Sequence, residues 1–426
     1  MEANYKKIAV EISRVILGVV FIFSGFVKAV DPWGGAYKIS DYFTAFEFTD
    51  LNHLALPLSI LQAVVEFGVG VCLLLGIYRR FNSTLVLLIM LFMTPLTLYL
   101  ALANPVSDCG CFGDAWVISN WQTFYKNILL LIAAIIVFLW YRSMTPVFTH
   151  KMYFPPAVWI YLFIIGLSLY CFYYLPVFDF RPYKIGTNIP QKMKIPDNAE
   201  HDIYEVRLIY SKDGQQKEFL LDNYPKEDST WTFVDTKSRL VKKGYQPPIH
   251  DFTITDAHGD DITENILSNS SYTFLLIAHK LENANDANVD KINDIYDFSK
   301  NKGYDFYALT SSSPTEIQNW IENTGAEYPF CTVDDITLKT IIRSNPGLVL
   351  IKNGTVVDMW PNTRLPDTVE LDRLTDPARL DPVSPVHNFR TAIILKFIFL
   401  IPLIGLFLWD FFRNRGKKKK KRSPSL

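Results

Sequence analysis

Six long apolar stretches constrain the fold of this chain more than any other feature of its sequence. They occupy residues 8–30, 54–77, 84–103, 123–141, 153–176 and 391–409. A helix of about twenty apolar residues crosses the hydrocarbon core of a bilayer, so each stretch is long enough to span a membrane. The sequence therefore predicts a multi-pass membrane protein whose first four spans, joined by short loops, form an antiparallel bundle.

Basic residues near the span ends predict the orientation, because short cytoplasmic loops are rich in lysine and arginine. These residues are Lys6, Lys7, Arg79, Arg80, Arg142, Lys151 and the basic tail at 413–422. The apolar core of the first span is long and shows no convincing cleavage site, which favours a retained anchor over a signal peptide. We expect a bacterial inner-membrane protein with both termini in the cytoplasm. The periplasmic side then holds residues 108–114, residues 179–388 and an acidic loop after the first span, which contains Asp31, Asp41, Glu47 and Asp50.

The motif "DCGCFGD" places Cys109 and Cys111 in the loop between the third and fourth spans. Disulfides form and persist in the periplasm, so the pair is oxidisable there. A ring closed around Gly110 would be strained and therefore labile, which favours catalytic exchange. Two alternatives stay open: a structural disulfide, although so short a loop gives little entropic stabilisation, and a metal site, although zinc prefers four ligands and no histidine is near.

Two charged residues fall inside predicted spans, where a charge is costly. Glu66 lies near the middle of the second span, and Arg14 lies inside the cytoplasmic end of the first. Arg14 either reaches toward Glu66 or extends outward to the headgroups, and Lys28 is another candidate partner for Glu66. We expect a structural ion pair, with a proton relay or a quinone-binding carboxylate as the alternative.

The extracytoplasmic segment carries strand and helix patterns. Residues 204–221 predict a hairpin turned at "KDG", and residues 244–267 predict two further strands around a glycine turn. From residue 272 onward, apolar strand runs alternate with helical patterns, and a last hairpin turns at Asn353 and Gly354. This alternation predicts an α/β layer domain.

Four motifs stand out in the first third of the chain: "RVILGVVFIFSGFVKAVDPWGG" at 14–35, "EFGVGVCLLLG" at 66–76, "CGCFGD" at 109–114 and "TFYKN" at 123–127. In these motifs the chain resembles the DoxX and MauE family of bacterial membrane proteins, a four-helix group linked to redox processes. MauE-like proteins are associated with making or maintaining disulfides in periplasmic partners, so the resemblance implies the same process here.

Two motifs stand out in the soluble half, "PPIHDFTITDAHGDDIT" and "SNPGLVLIKNGTVV". The first resembles the opening hairpin of the thioredoxin-like fold in TlpA-like and peroxiredoxin-like domains. The second resembles the stretch of that fold with a cis-proline, which would be Pro346. In such domains a CxxC follows the first central strand, whereas "LLIAHKLENAND" follows it here. We therefore expect no disulfide exchange by this domain, an inert Cys331 and a non-catalytic His279, with a resolving Cys331 and a cryptic activity of His279 as the alternatives. We also expect a retained role in peptide binding beside the cis-proline.

The resulting fold class is a membrane α-helical bundle, with a four-helix DoxX-like core and two further spans, carrying an α/β thioredoxin-like extracytoplasmic domain. The predicted segments are a four-helix domain at 1–145, a fifth span at 146–178, a linker and hairpin region at 179–243, a thioredoxin-like domain without CxxC at 244–388, and a sixth span with its tail at 389–426.

We expect a thiol-disulfide oxidoreductase in contact with membrane lipid, acting on a periplasmic protein through Cys109 and Cys111. A quinone is a candidate electron acceptor only by analogy with other four-helix disulfide-forming membrane proteins. The alternative is a non-enzymatic scaffold whose thioredoxin-like domain binds an envelope protein. The 42 Lys and Arg nearly balance the 43 Asp and Glu, which does not indicate a nucleic-acid partner, and two charges within the spans do not define a transport pathway.

Overall fold

A computed structural model describes residues 2–106, 108–200, 203–212, 214–226, 228–242, 244–376 and 386–420. Six helices within these residues are long and apolar enough to cross a membrane: Asn4–Val30, Thr49–Leu75, Arg79–Ala103, Asn120–Leu139, His150–Tyr173 and Arg390–Asn414. Each overlaps one predicted span, which confirms the prediction of a multi-pass membrane protein. In the basic tail, residues 421–422 and the side chains of 415–420 lie outside the described residues.

The membrane half is built from helices whose ends follow the local sequence. They are α1 (Glu2–Val30), α2 (Pro32–Ala45), α3 (Ala55–Leu75), α4 (Arg79–Ala103), α5 (Asn120–Leu139) and α6 (Phe154–Tyr173). Gly76 ends α3 with a φ of 67°, in the left-handed region that favours glycine. Ser119 and Gln122 form a capping box at the start of α5.

Helix α2 corrects the expectation of an acidic loop after the first span. The Asp31 side chain caps its first turn by accepting a hydrogen bond from the backbone N–H of Gly34, and Pro32 occupies the first helical position. Both residue types are favoured at these positions. The sequence Asp31–Pro32 is therefore a local signal for the start of this helix.

The bundle core depends on close approach of α1 and α3. A Cβ added at Gly25 would lie 2.3 Å from the backbone nitrogen of Phe67, so only glycine fits there. One apolar cluster joins α1, α3, α4 and α5, and a second joins α1, α3 and α6. Cys72 and Cys171 are buried in the second cluster, which confirms them as apolar core residues.

The soluble half begins with α7 (Ile189–Met193) and an antiparallel sheet of strand order β2-β1-β3. Its strands are β1 (Ile203–Lys212), β2 (Gln215–Leu220) and β3 (Thr232–Lys242). Strands β1 and β2 form the predicted hairpin, although residue 213 of its turn lies outside the described residues. The third strand, β3, was not predicted.

The two strands predicted at 244–267 are wrong. Thr255 forms only isolated bridges, and α8 (Thr263–Ser268) follows. The Asp256 carboxylate accepts hydrogen bonds from the backbone N–H groups of His258 and Asp260, at 2.8 and 2.9 Å. This local turn uses backbone donors that a strand ladder would need.

A second sheet has the order β6-β5-β4-β7-β8. Its strands are β4 (Tyr272–Ile277), β5 (Asp305–Thr310), β6 (Phe330–Thr332), β7 (Gly347–Lys352) and β8 (Thr355–Pro361). Strands β4, β5 and β6 are parallel, whereas β7 is antiparallel to both β4 and β8. The peptide bond between Asn345 and Pro346, just before β7, is cis as predicted.

Helices cover both faces of this sheet. They are α9 (Val289–Lys302), α10 (Pro314–Thr324), α11 (Asp335–Ile341) and α12 (Thr368–Thr375). Because strand side chains alternate, Phe274 and Leu276 join the apolar cluster with α9, α10 and α12, while Leu275 and Ile277 join the one with α8 and α11. The strand order and the two helical layers confirm the thioredoxin-like α/β fold.

The sixth span belongs to α13 (Val386–Lys420), which lies at the edge of the bundle. Only 6% of its most apolar window is buried, so most of its apolar surface is exposed. Trp159 of α6 donates a hydrogen bond to the Phe399 carbonyl oxygen at 3.1 Å, and the Asp410 carboxylate accepts one from the Thr149 hydroxyl at 2.7 Å. These bonds attach the returning helix to the membrane half.

Candidate thiol site

The cysteine loop, residues 104–119, connects α4 to α5 and places two thiols at one end of the bundle. Cys109 is buried and Cys111 is half-buried, and their sulfur atoms lie 2.9 Å apart as free thiols. Gly110 between them has a φ of 67°, and a Cβ there would lie 2.5 Å from Cγ of Lys38. Glycine is therefore required for the turn that brings the two sulfurs together.

Side chains from α1 and α2 hold the backbone of this turn. The carbonyl oxygen of Cys111 accepts hydrogen bonds from the Ser24 hydroxyl at 2.6 Å and the Lys28 ammonium at 2.9 Å. The Tyr42 hydroxyl donates to the carbonyl oxygen of Cys109 at 2.9 Å. Both cysteines are thus anchored through their main chain, which leaves their sulfur atoms available for chemistry.

The two thiols have different electrostatic environments. The hydrogen bond from Cys109 lowers the pKa of Cys111 to about 6; burial opposes this effect, and the cations of Lys126 and Lys28 assist it. The same hydrogen bond, together with burial, raises the pKa of Cys109. Cys111 is therefore the thiol of the pair that is favoured as the thiolate, and thiolates are the nucleophiles in disulfide exchange.

An ion pair lies directly beneath the cysteine loop. The Lys28 ammonium is 2.8 Å from the Glu66 carboxylate, and Gln62 donates to the other Glu66 oxygen at 2.7 Å. Arg14 instead pairs with Glu11 at 2.7 Å and donates to the Thr145 carbonyl oxygen. Of the two candidate partners, Lys28 forms the ion pair with Glu66. Arg14 contacts other residues and lies outside the thiol site.

A buried arginine of the soluble half binds the membrane half beside the thiols. Arg343 is 6% exposed, and its guanidinium contacts the Asp31 carboxylate at 2.9 to 3.1 Å and the Asp114 carboxylate at 2.9 Å. Asp31 caps α2, and Asp114 belongs to the cysteine loop. We call these three residues the Arg343 clamp, because one cation joins both elements to the thioredoxin-like domain.

The clamp has strong electrostatic complementarity. Burial lowers the pKa of Arg343, but the neighbouring Asp31 and Asp114 outweigh burial and raise it. Burial also raises the pKa of Asp31, but the charges of Arg343 and Arg181 outweigh burial and lower it. Both the guanidinium and the Asp31 carboxylate are therefore charged at neutral pH.

The edge of the soluble domain that carries the cis-proline Pro346, with its neighbours His279 and Arg343, faces α2; we call it the cis-proline edge. The ring of Tyr37 contacts the His279 ring at a centroid distance of 6.3 Å and lies under the guanidinium of Arg343. Asn345, adjacent to Pro346, donates to the Lys280 carbonyl oxygen at 2.8 Å. The edge on which we expected peptide binding therefore lies against the protein's own membrane half.

Neither His279 nor Cys331 has the environment of a reactive group. Burial, with a contribution from Lys339, lowers the pKa of His279 to about 4. Burial raises the pKa of Cys331 to about 11, which keeps it a protonated thiol. In the described part of the chain, no group of three or more His, Cys, Asp or Glu side chains is arranged to hold a metal ion.

A cavity of about 80 Å³ lies between the cysteine loop and the chain that follows α6. Its lining includes Lys28, Lys38, Gly110, Asp114 and Arg181. This volume holds a few water molecules rather than a peptide. The cavity is therefore the size of a small water cluster and is too small to hold a segment of a client protein.

Several residues of the site were absent from the sequence prediction. Lys28 was predicted only as a possible partner of Glu66, and its hydrogen bond to the cysteine loop was not expected. Lys126 lies within the motif "TFYKN", so it had a local signal. Tyr42 and Arg343 had none, because their contacts join segments 67 or more positions apart along the chain.

Comparison with protein families locates known relatives of two parts of the chain. Residues 6–141 match the family described as methylamine utilisation protein MauE. Residues 204–243, which contain the sheet of β1, β2 and β3, match a domain of unknown function, DUF8463. The N-terminal region therefore carries a MauE-type membrane domain, as its sequence resemblance indicated.

Solved structures similar to the chain include three bacterial proteins. A provisionally named thioredoxin from Neisseria meningitidis is 17% identical, with a TM-score of 0.26, covering 31% of this chain and 91% of that one. The thioredoxin domain of a thiol-disulfide oxidoreductase from Bacteroides vulgatus is 14% identical, with a TM-score of 0.25 and coverages of 29% and 93%. A provisionally named protein disulfide isomerase from Bacteroides thetaiotaomicron is 19% identical, with a TM-score of 0.23 and coverages of 33% and 91%. No curated protein matches the chain.

Proposed function

We propose that the protein is a membrane thiol-disulfide oxidoreductase whose exchanging pair is Cys109 and Cys111. The observation that carries this proposal is the geometry of the pair: two sulfur atoms 2.9 Å apart, one of them favoured as a thiolate. A low-pKa, partly accessible cysteine beside a second thiol is the arrangement expected of a reactive dithiol. The MauE-type domain that contains the pair supports the same conclusion.

The proposed exchange has a defined order. The Cys111 thiolate attacks a disulfide of the client, which forms a mixed disulfide and releases one client thiolate. Cys109 then loses its proton and attacks the Cys111 sulfur, which closes the internal disulfide and releases the second client thiolate. The client gains the two electrons that the cysteine pair loses. In the reverse direction, a client dithiol reduces the internal disulfide, and a quinone in the bilayer is our candidate for the acceptor that restores it.

We propose that the cysteine loop and the thioredoxin-like domain face the periplasm of a bacterial cell, and that the termini face the cytoplasm. The support is the distribution of lysine and arginine at the opposite ends of the spans. In this orientation the pair meets an oxidising compartment and proteins that contain disulfides. The substrate class is therefore extracytoplasmic protein thiols or disulfides.

The thioredoxin-like domain supports the pair without exchanging electrons itself in this proposal. The loop after β4 contains no cysteine. His279 in this loop packs its ring on Tyr37 of α2. Arg343 ties this edge to the cysteine loop through Asp114. We infer that the domain positions the loop, and that any client contacts surfaces away from the cis-proline edge.

Trapping of mixed disulfides tests this proposal. Cys109→Ser removes the resolving thiol, so Cys111 should remain attached to its client and form a disulfide-linked adduct in cells. Cys111→Ser should form far fewer adducts, because the remaining Cys109 is buried, which limits access to its sulfur and raises its pKa even without Cys111. Cys331→Ser, which changes a buried thiol of the other domain, serves as the matched control and should behave as wild type.

A second candidate function is a non-enzymatic membrane scaffold whose thioredoxin-like domain binds an envelope protein. It is favoured by the absence of a CxxC in the soluble domain and by the burial of Arg343 between the two halves. If Cys109→Ser captures no client while the protein is normally abundant, exchange is excluded and the scaffold remains.

A further inference from the structure

A second site lies at the opposite end of the bundle from the thiols. A groove of about 640 Å³ opens where α3 and α5 end and where α4 and α6 begin. Its lining residues are Tyr78, Arg79, Arg80, Phe81, Thr84, Tyr141, His150 and Tyr153. The volume falls within the usual range of small-molecule sites, and the residues belong to the ends of spans, at the level of lipid headgroups.

Positive charge in this groove has no internal counterion. Arg79 and Arg80 line it, and Arg142 and Lys151 are sequence neighbours of lining residues. No ion pair joins any of these four side chains to a carboxylate within the part of the chain that the structure describes. Arg142 donates to the Tyr141 hydroxyl, and this bond, with the charges of Arg80 and Arg79, lowers the pKa of Tyr141. Arg79 also donates to two backbone carbonyl oxygens of the chain after α5, which are neutral acceptors and hold its charged guanidinium at the groove.

Aromatic rings form the wall of the groove. The rings of Tyr78 and Tyr153 lie 5.5 Å apart, and those of His150 and Tyr153 lie 5.1 Å apart. Tyrosine is favoured at the membrane interface because its ring is apolar and its hydroxyl is polar. The wall is therefore suited to the glycerol region between a headgroup and its acyl chains.

An apolar surface continues from the groove along α4. Phe81, Leu88 and Phe92 are 64%, 57% and 68% exposed, and their spacing places them on one side of the helix. A ligand with a phosphate in the groove and acyl chains against this surface would satisfy both its charge and its apolar area. A free anion would satisfy only the charge.

We propose that this groove binds the headgroup of one anionic phospholipid, with the phosphate at Arg79 and Arg80 and the acyl chains along α4. The proposal is independent of the thiol chemistry. By the distribution of basic residues, the lipid belongs to the cytoplasmic leaflet, where anionic headgroups attract arginine and lysine.

Native mass spectrometry of the purified, delipidated full-length protein tests the site. The protein is titrated with phosphatidylglycerol or with phosphatidylcholine, and bound lipids are counted. Arg80→Gln is the informative variant, because Arg80 is exposed and its side chain has no hydrogen-bonded partner among the described contacts. Arg364→Gln makes the same charge change at an exposed position of the soluble domain and is the control.

We expect one phosphatidylglycerol molecule to bind each protein tightly in the titration, and phosphatidylcholine to bind more weakly. Arg80→Gln should weaken phosphatidylglycerol binding roughly fivefold, which corresponds to about 1 kcal/mol for one arginine at an anionic surface. Arg364→Gln should have no effect. Equal binding of both lipids, or unchanged binding by Arg80→Gln, would overturn the proposal. Full displacement of the lipid by millimolar inorganic phosphate would also overturn it, and would assign the groove to a free anion.

Discussion

Replacing Arg343 with glutamine should release the soluble domain from the cysteine loop. Arg343 is 6% exposed and contacts both Asp31 and Asp114. Glutamine keeps a polar side chain but removes the cation, so two neighbouring carboxylates lose their shared counterion. Removing one partner of a buried ion pair costs about 3–5 kcal/mol when the remaining charge stays buried without compensation. The charge of Arg181 still acts on Asp31, and Asp114 is 45% exposed, so we expect about 3 kcal/mol, the lower end of that range.

This cost predicts the size of the effect. Each 1.4 kcal/mol changes an equilibrium constant tenfold, so the undocked population should rise by about two orders of magnitude. Hydrogen–deuterium exchange measures such local opening directly. Amides in α2 and in residues 108–119 should exchange faster by that factor in Arg343→Gln, whereas amides in β4 and β7 should keep the wild-type rate.

Two further variants make the result specific. Arg343→Lys keeps the charge but loses the two-nitrogen contact with Asp31, so its exchange rates should be intermediate. Arg364→Gln removes an exposed arginine of the same domain and should leave all rates unchanged. Exchange within twofold of wild type in α2 and residues 108–119 of Arg343→Gln would refute the clamp.

Other substitutions test the thiol site and its supporting ion pair. Alkylation of Cys111 should accelerate as the pH rises through about 6 and level off by neutral pH, because its lowered pKa makes the thiolate predominate above that value; a midpoint near 9 would contradict this. Lys126→Gln should move that midpoint upward, since a stabilising cation is removed; mass spectrometry of alkylated peptides measures both. Glu66→Gln should lower protein abundance in membranes, because Lys28 would remain buried without its carboxylate; normal abundance with reduced thiol turnover would instead indicate a proton relay.

Large parts of the architecture were predictable because their signals are local. The spans follow from apolar length, and the soluble domain follows from the alternation of strand and helix patterns. The thiol pair was visible for the same reason, since Cys109 and Cys111 are two positions apart. Helix α2 was missed although Asp31 and Pro32 carried its start signal, because its acidic residues were interpreted as a loop.

The electrostatics of the site could not be predicted, because they depend on tertiary contacts. Arg343 and Asp31 are separated by 312 positions, and nothing in either local sequence indicates the other. The choice between Arg14 and Lys28 as partner of Glu66 likewise depended on helix packing, which places Lys28 at 2.8 Å. The role of Lys126 also required the fold, which brings α5 beside the cysteine loop.

The redox state of Cys109 and Cys111 in native membranes tests the central claim most directly. Thiols are alkylated after equilibration in glutathione buffers of graded potential, and the products are identified by mass spectrometry. The proposed function predicts a reversible intramolecular disulfide that titrates near the redox poise of the cell envelope. A pair that stays reduced in every buffer, or stays oxidised under strong reductant, would contradict it.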